Sequence, residues 1–367
     1  MLDFEKFKDY IVENITEYLP QQYEDARISI DKIVKNNDMV LDGLHIFQEN
    51  TNVTPVIYVN QEYERYKEGE NLDEIVGKLA DRFVEAKFEE MPINVADLSD
   101  YEQVKDRVIC RLVNRESNRE RLSNAPFTPM EDLAVTYHVL MTEGSDGIGS
   151  IMITNALMEE YGIDVETLHT QAMGNMDKLT PVKLETLEDM MLNMMTPEFV
   201  KEYGVSEELA REKISEMFPP HDGPEIYCLT NESQINGAAV IANPKTREFV
   251  SERVGGDFFI LPSSIHELLI VSKSYDMSYE ELQSMVQEVN RGMVSPDEIL
   301  SNHVYQYEAK THQVSRADRI QNIEQQYNAA YTEQHPALVM ENEKIYNANE
   351  KVQELQAEPK KHSPMRH

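Results

Sequence analysis

Basic residues are scarce in this chain. It has 34 lysines and arginines against 67 aspartates and glutamates, a formal net charge of −33 over 367 residues. Such a surface repels phosphate backbones, so direct nucleic-acid binding is not expected. Long apolar runs are missing too. No stretch approaches the roughly 18 residues of a membrane helix, and no membrane partner is expected. The opening MLDFEKFKDYIVENI is amphipathic and acidic, without the basic start and apolar stretch of a secretory signal. Cysteine is nearly absent. Cys110 and Cys228 each lie inside an apolar run and read as small buried hydrophobes rather than a disulfide. A cytoplasmic location is the expectation.

Familiar catalytic and metal signatures are also lacking. There is no HExxH, no Cys-x-x-Cys and no Gly-x-Ser-x-Gly elbow. The adjacent pairs His221-Asp222 and His266-Glu267 do not have the spacing of ligands to one ion. The glycine-bearing turn Glu143–Gly147 is followed by neither Lys-Ser nor Lys-Thr, so it reads as a hairpin rather than a phosphate loop. No metal and no cofactor are expected. The acidic pairs Glu131-Asp132, Glu159-Glu160, Glu207-Glu208 and Glu280-Glu281 are what chance supplies among 67 acids.

What the chain does have is enough apolar content, 41%, for a sizeable core. Phe4, Phe7, Ile11, Ile15 and Leu19 recur at helical steps until Pro20. Strands follow at Ile28–Ile33, Val40–Phe47 and Pro55–Val59, with a turn at Asn36-Asn37-Asp38, and Leu72–Phe88 returns to helical spacing. Val108–Val113 reads as a strand and Asn114–Leu122 as a polar helix. Leu133–Met141 and Ile148–Ile153 form a hairpin. Helices are expected at Asn155–Tyr161, Asp164–Leu179 and Ser206–Met217, with a less regular stretch through Met190–Met195. After the break Pro219–Pro224 come strands Ile226–Leu229 and Ala238–Ile241, and a helix over Lys245–Arg253. The block Asp257–Ser272 reads as two strands about a polar break. A helix over Tyr279–Val289 and a strand over Val304–Tyr307 close the globular part. Arg316–Tyr331 can be helical. The expected organisation is an N-terminal helix–sheet–helix unit (1–95), a central mixed region (96–220), a C-terminal α+β region packed with it (221–312) and a helical or disordered tail (313–367).

Three constellations carry candidate function. Ser263, Ser264, His266 and Glu267 crowd nucleophile, base and acid types into one turn. The structural alternative is that Pro262 ends a strand, Ser264 caps the next turn and His266 satisfies a buried carbonyl. Arg107, Arg111, Arg115 and Arg119 recur every four residues, and on a helix they would form a stripe for an anion or an acidic partner. If Val108–Val113 is a strand, that stripe does not exist. Met173, Met176, Met190, Met191, Met194 and Met195 read either as an irregular core or as an adaptable apolar surface. Charge is uneven as well. Residues 101–145 hold 7 acids and 6 bases, between acidic segments of net −13 (1–100) and −12 (146–225).

The segments ILPSSIHELLIV, MVQEVNRGMVSPDEILSNHVYQYE, YCLTNESQINGAAVI and EDLAVTYHVL, with the opening FEKFKDYIVENITEYLP, resemble the uncharacterised bacterial family called domain of unknown function 5688, over roughly residues 1–310. Ile153–Asn175 also resembles part of domain of unknown function 1444. The first resemblance implies a cytoplasmic bacterial protein, often encoded near mobile elements, and assigns no activity, cofactor or site residue.

The reading is therefore an α+β protein with mixed, largely antiparallel sheets flanked by helices and a C-terminal tail. The leading function is a non-enzymatic binding or interaction protein with an unknown protein partner. The alternatives are a hydrolase-like enzyme using Ser263 or Ser264 with His266, and an acidic nucleic-acid mimic.

Overall fold

Asp3 starts the first helix, α1 (Phe4–Asn14), by accepting the Lys6 N–H on its carboxylate, and Phe7 and Ile11 fall one turn apart on the buried face. The computed structural model describes residues 1–48, 54–86, 95–144, 147–218, 223–275 and 277–320. Met1–Val314 make one compact unit and Ser315–His367 a second, of which only residues 315–320 are described.

In the N-terminal part, strands β1 (Arg27–Val34), β2 (Val40–Phe47) and β3 (Ile57–Tyr58) pair antiparallel in that order. Helices α2 (Asn60–Lys67) and α3 (Leu72–Glu85) follow, the latter capped by Asn71. Phe7, Ile11, Leu44, Ile46, Ile75 and Leu79 are wholly or nearly wholly buried and form a core of their own. Each contributes ~1.5–3 kcal/mol of transfer free energy. The β1–β2 hairpin tip is Asn36–Asp38, with φ of 59° at Asn37 and 49° at Asp38. Asn and Asp tolerate that left-handed region better than other non-glycine residues.

The central part runs α4 (Tyr101–Val104), β4 (Val108–Asn114), α5 (Arg119–Leu122), β5 (Phe127–Met130), β6 (Leu133–Gly144) and β7 (Gly147–Met152). The long β6 pairs antiparallel with β4, β5 and β7. Side chains alternate across a strand. Val108, Cys110 and Leu112 therefore join Val135, Tyr137 and Val139 in the main core. Arg111, Thr136 and His138 point to the opposite face, with Arg111 directly across from Thr136.

Helices α6 (Asn155–Tyr161) and α7 (Val165–Leu179) come next, and α7 buries Leu168, Ala172 and Met176 at four-residue steps. Strand β8 (Val182–Thr186) leads into α8 (Leu187–Tyr203) and α9 (Glu207–Met217). Then come β9 (Ile226–Asn231), a 3-10 segment Gly237–Ala242, α10 (Pro244–Val254), β10 (Phe258–Leu261), β11 (Leu268–Ser272), α11 (Tyr279–Gly292), β12 (Tyr305–Glu308) and β13 (Gln313–Arg316). The third sheet has the order β13-β12-β10-β11-β9-β8. β8 and β9 pair although the Pro219–Asp222 break lies between them in the chain. The fold is α+β with mostly antiparallel sheets.

Several expected elements differ. Ala238–Ile241 is a wholly buried 3-10 segment rather than a strand. An apolar run of that length satisfies either form, and the preceding Asn236, at φ 52°, turns the chain out of strand geometry. Of the helix expected over Asn114–Leu122 only the single turn Arg119–Leu122 forms, because Asn114 ends β4 and its side chain accepts the N–H groups of Glu116 and Ser117. Met190–Met195 lies inside the continuous helix α8. Phe88, the Pro219–Asp222 break, residues 145–146 of the Glu143–Gly147 turn and the tail beyond residue 320 lie outside the described residues.

Candidate functional site

The turn after β10 is held by local bonds. The Ser264 hydroxyl donates to Glu267 Oε1 at 2.9 Å and accepts the His266 backbone N–H at 3.0 Å. Thr230 Oγ1 donates to the His266 carbonyl at 2.7 Å, and the Ile265 N–H donates to the Glu298 carbonyl at 2.9 Å. Gly237 sits against this turn so closely that a Cβ there would lie 2.6 Å from the His266 carbonyl oxygen. Ser264 is buried and Ser263 is half-buried.

Neither ring nitrogen of His266 is bonded to a serine. Its Nδ1 accepts the Asn236 N–H at 3.1 Å, and its Nε2 lies 3.4 Å from Glu298 Oε1. Accepting at Nδ1 places the ring proton on Nε2, toward the carboxylate. The expected partner of this ring is a backbone carbonyl. The ring takes a backbone N–H instead, because the left-handed turn at Asn236 aims an amide at it.

The four spaced arginines do not form a stripe, because Val108–Asn114 is a strand. Arg107 donates to the Leu140 and Met141 carbonyls and Arg115 to the Glu131 carbonyl. Arg119 pairs with Glu116. Arg111 goes elsewhere, into a cavity of about 270 Å³.

That cavity lies on the face of the central sheet opposite the main core. Arg111, Arg121, His138, Asn36, His266 and Glu298 are among its lining residues. Arg111 donates from a terminal nitrogen to Ser150 Oγ at 2.7 Å, and Arg121 Nε approaches Met152 Sδ at 3.2 Å. Among the described residues, neither guanidinium has a carboxylate within ion-pair distance. Arg111 Nε and Asn36 Oδ1 are buried without a hydrogen-bond partner. Burial, and then the charge of Arg121, pull the Arg111 guanidinium down to about 10. Burial lowers Arg121 as well, while Asp38, whose carboxylate accepts the N–H groups of Glu120 and Arg121, works the other way. His138 is fully buried, and burial, Arg111 and Arg121 together hold it well below the usual imidazole range. It is therefore neutral near pH 7. Thr136 Oγ1 donates to the Arg111 carbonyl at 3.4 Å and meets His138 Nε2 at 3.3 Å, an arrangement in which the imidazole donates.

The cavity's own carboxylates are engaged elsewhere. Glu298 faces His266, and Asp297 Oδ1 accepts from Ser295 Oγ. Lys35 lies over the Tyr58 ring, 4.7 Å from its centroid. What remains on the cavity wall is two guanidinium groups, a neutral imidazole and a buried amide oxygen. The two guanidinium groups of this set recognise an oxyanion, their forks matching phosphate and carboxylate geometry, while the Asn36 amide oxygen, an acceptor, suits a donor group of the same ligand.

Of the residues singled out from sequence, Arg111 and His266 share this cavity, whereas Ser263, Ser264, Glu267, Arg107, Arg115 and Arg119 do not line it. Arg121, His138, Asn36 and Glu298 were not singled out. One signal was available for His138. It stands, with Thr136, among apolar neighbours in a strand, where a polar residue on the second face needs a reason. Cys110 and Cys228 are both buried, and burial pushes the thiols up, Cys228 to about 11, away from nucleophilic use.

No curated protein and no solved structure matches the chain. A family model does match, over residues 4–309, nearly the whole of the described structure. The chain belongs to the family of unknown function DUF5688.

Proposed function

We propose that this protein binds a small ligand bearing a phosphate or carboxylate, held in the cavity between Arg111 and Arg121. The observation that carries the reading is the absence of an ion-pair partner for either guanidinium among the described residues, in a chain with 67 acidic side chains. Both side chains are half-buried, so their unpaired charge costs less than the several kcal/mol of a fully buried one, but it is still unfavourable. A bound oxyanion removes that cost and supplies acceptors to Arg111 and Arg121. The strongly negative exterior disfavours a polyanion, so the ligand is small and carries one or two charges. The neutral segment 101–145, which contributes Arg111, Arg121 and His138, fits the same reading.

Turnover by Ser263 or Ser264 is not part of this proposal. Ser264 directs its hydroxyl to Glu267, and His266 spends Nδ1 on a backbone amide.

Titration calorimetry with inorganic phosphate and with citrate, at an ionic strength held constant with chloride, tests the proposal. One of the two should give saturable binding to the full chain, weakened at least about tenfold in R111Q and in R121Q. Which anion binds decides between phosphate and carboxylate. Equal heats for the native chain and both variants would overturn the proposal.

A further inference from the structure

Helix α8 is apolar without being buried. Its 17 residues include Leu187, Met190, Met191, Leu192, Met194, Met195, Phe199, Val200 and Tyr203, yet Thr196 is its one buried residue. A helix that is apolar around its circumference belongs in a core. Here the helix pairs with α9 in a hairpin that branches from the edge strand β8. The hairpin and the residue after it leave Met194, Tyr203, Leu209, Met217 and Phe218 exposed, Met194 at 67% and Met217 at 62%. Large apolar side chains exposed in this number on one hairpin mark an interaction site. Methionine suits a surface that adapts to its partner, being unbranched and polarisable.

The charge around this surface names the partner. Leu187–Met217 carries eight acidic residues and three basic ones. Glu198 and Glu202 follow Met194 at four-residue steps, and Glu212 and Glu216 lie on the helical stripe begun by Leu209. Lys213 is already paired with Glu216. The acids therefore fringe the apolar residues. A second copy of this chain would bring the same charge to the interface, which is repulsive.

We infer that the α8–α9 hairpin docks a basic amphipathic helix of a partner protein, with apolar side chains against Met194, Met217 and Phe218 and lysines or arginines against the flanking glutamates. This inference is independent of the anion cavity, which lies on the central sheet.

The test uses the full chain and three fluorescently labelled synthetic peptides, each about 20 residues long. One has leucine and lysine at helical spacing, one has the same composition scrambled, and one has glutamate in place of lysine. Fluorescence anisotropy should show the basic amphipathic peptide bound at least about tenfold more tightly than either control. M194E and M217E alter exposed side chains, so the fold should persist, as circular dichroism can verify. Each should weaken that peptide by about tenfold or more, and E198K with E202K should do the same while strengthening the acidic peptide. Equal affinity for ordered and scrambled peptides would overturn the inference. So would unchanged binding in M194E and M217E, or a native chain that sediments as a dimer and becomes monomeric in M194E.

Discussion

Asn118 holds Asn37 through both ends of its side-chain amide. The Asn37 backbone N–H donates to Asn118 Oδ1 at 2.9 Å, and Asn118 Nδ2 donates to Asn37 Oδ1 at 3.1 Å and to the Asn114 carbonyl at 2.8 Å. Asn37 Nδ2 meanwhile donates to the Pro296 and Ile299 carbonyls. The tip of the β1–β2 hairpin is thereby tied to the end of β4 and to the segment before β12. That tie puts Asn36 on the cavity wall. Asn118 is fully buried, so removing its amide leaves several polar groups unpaired. N118A should cost about 2–4 kcal/mol, since each stranded buried group costs roughly 1–3 kcal/mol. Urea unfolding of the full chain measures it, and a loss within experimental error would show the tie to be dispensable.

The unpaired arginine has a consequence for stability. In phosphate- and citrate-free buffer, R111M removes a half-buried charge without an ionic partner and keeps much of the side-chain volume. It should raise stability by about 1–3 kcal/mol. Adding the bound anion should then stabilise the native chain and not the variant. At one hundred times Kd the native gain is about 2.7 kcal/mol. A variant less stable than the native chain without anion would mean that Arg111 holds the fold together rather than awaiting a ligand.

His138 sets an acid limit. Its folded-state pKa is depressed, so below about pH 6.5 the unfolded chain binds a proton that the folded chain refuses. Stability contributed by this group is present above the unfolded value. It is lost as pH falls from there toward the depressed folded value, at up to about 1.4 kcal/mol per pH unit. His169, lowered chiefly by burial and then by Arg247, acts in the same direction. Thermal unfolding across pH 5–8 should show this slope, and H138Q should flatten it. A bound oxyanion raises the His138 value by offsetting the two arginines, so the slope should also shrink under saturating ligand. An unchanged slope in H138Q would assign the acid loss to other groups.

Gly237 is a position where a methyl group has no room. Its added Cβ would stand 2.1 Å from Thr230 Oγ1 and 2.6 Å from the His266 carbonyl oxygen. G237A should destabilise the chain by about 1–3 kcal/mol and displace the turn that carries His266. Calorimetric unfolding gives the first effect, and nuclear magnetic resonance of the His266 ring gives the second.

Much of the architecture could be read from spacing. The period of Phe7 and Ile11 located α1, the Asn36–Asp38 signal located the hairpin tip, and Asp164 located the start of α7. Short-range chemistry governs all three. The 3-10 segment Gly237–Ala242 escaped because a short buried apolar run fits strand and helix alike, and only the backbone at Asn236 decides. β8 escaped because its pairing with β9 is made across the whole α8–α9 hairpin. The cavity was less legible than the fold. Arg111 was singled out for a helical stripe that does not form, and it matters for a different reason. As a strand residue it faces away from the main core, on the same side as His138. Arg121 joins it only because the single turn α5 folds back beside Asp38. No spacing in the sequence encodes that approach, since it depends on the hairpin tip of a different part of the chain.

The most direct test of the oxyanion reading is anomalous diffraction from crystals of the full chain soaked in selenate, a dianion of phosphate size. The account predicts one selenium peak in the Arg111 cavity, with oxygens within hydrogen-bond distance of both the Arg111 and Arg121 guanidinium groups. A cavity filled only by water, or by a carboxylate of the chain itself turned onto the two arginines, would contradict it.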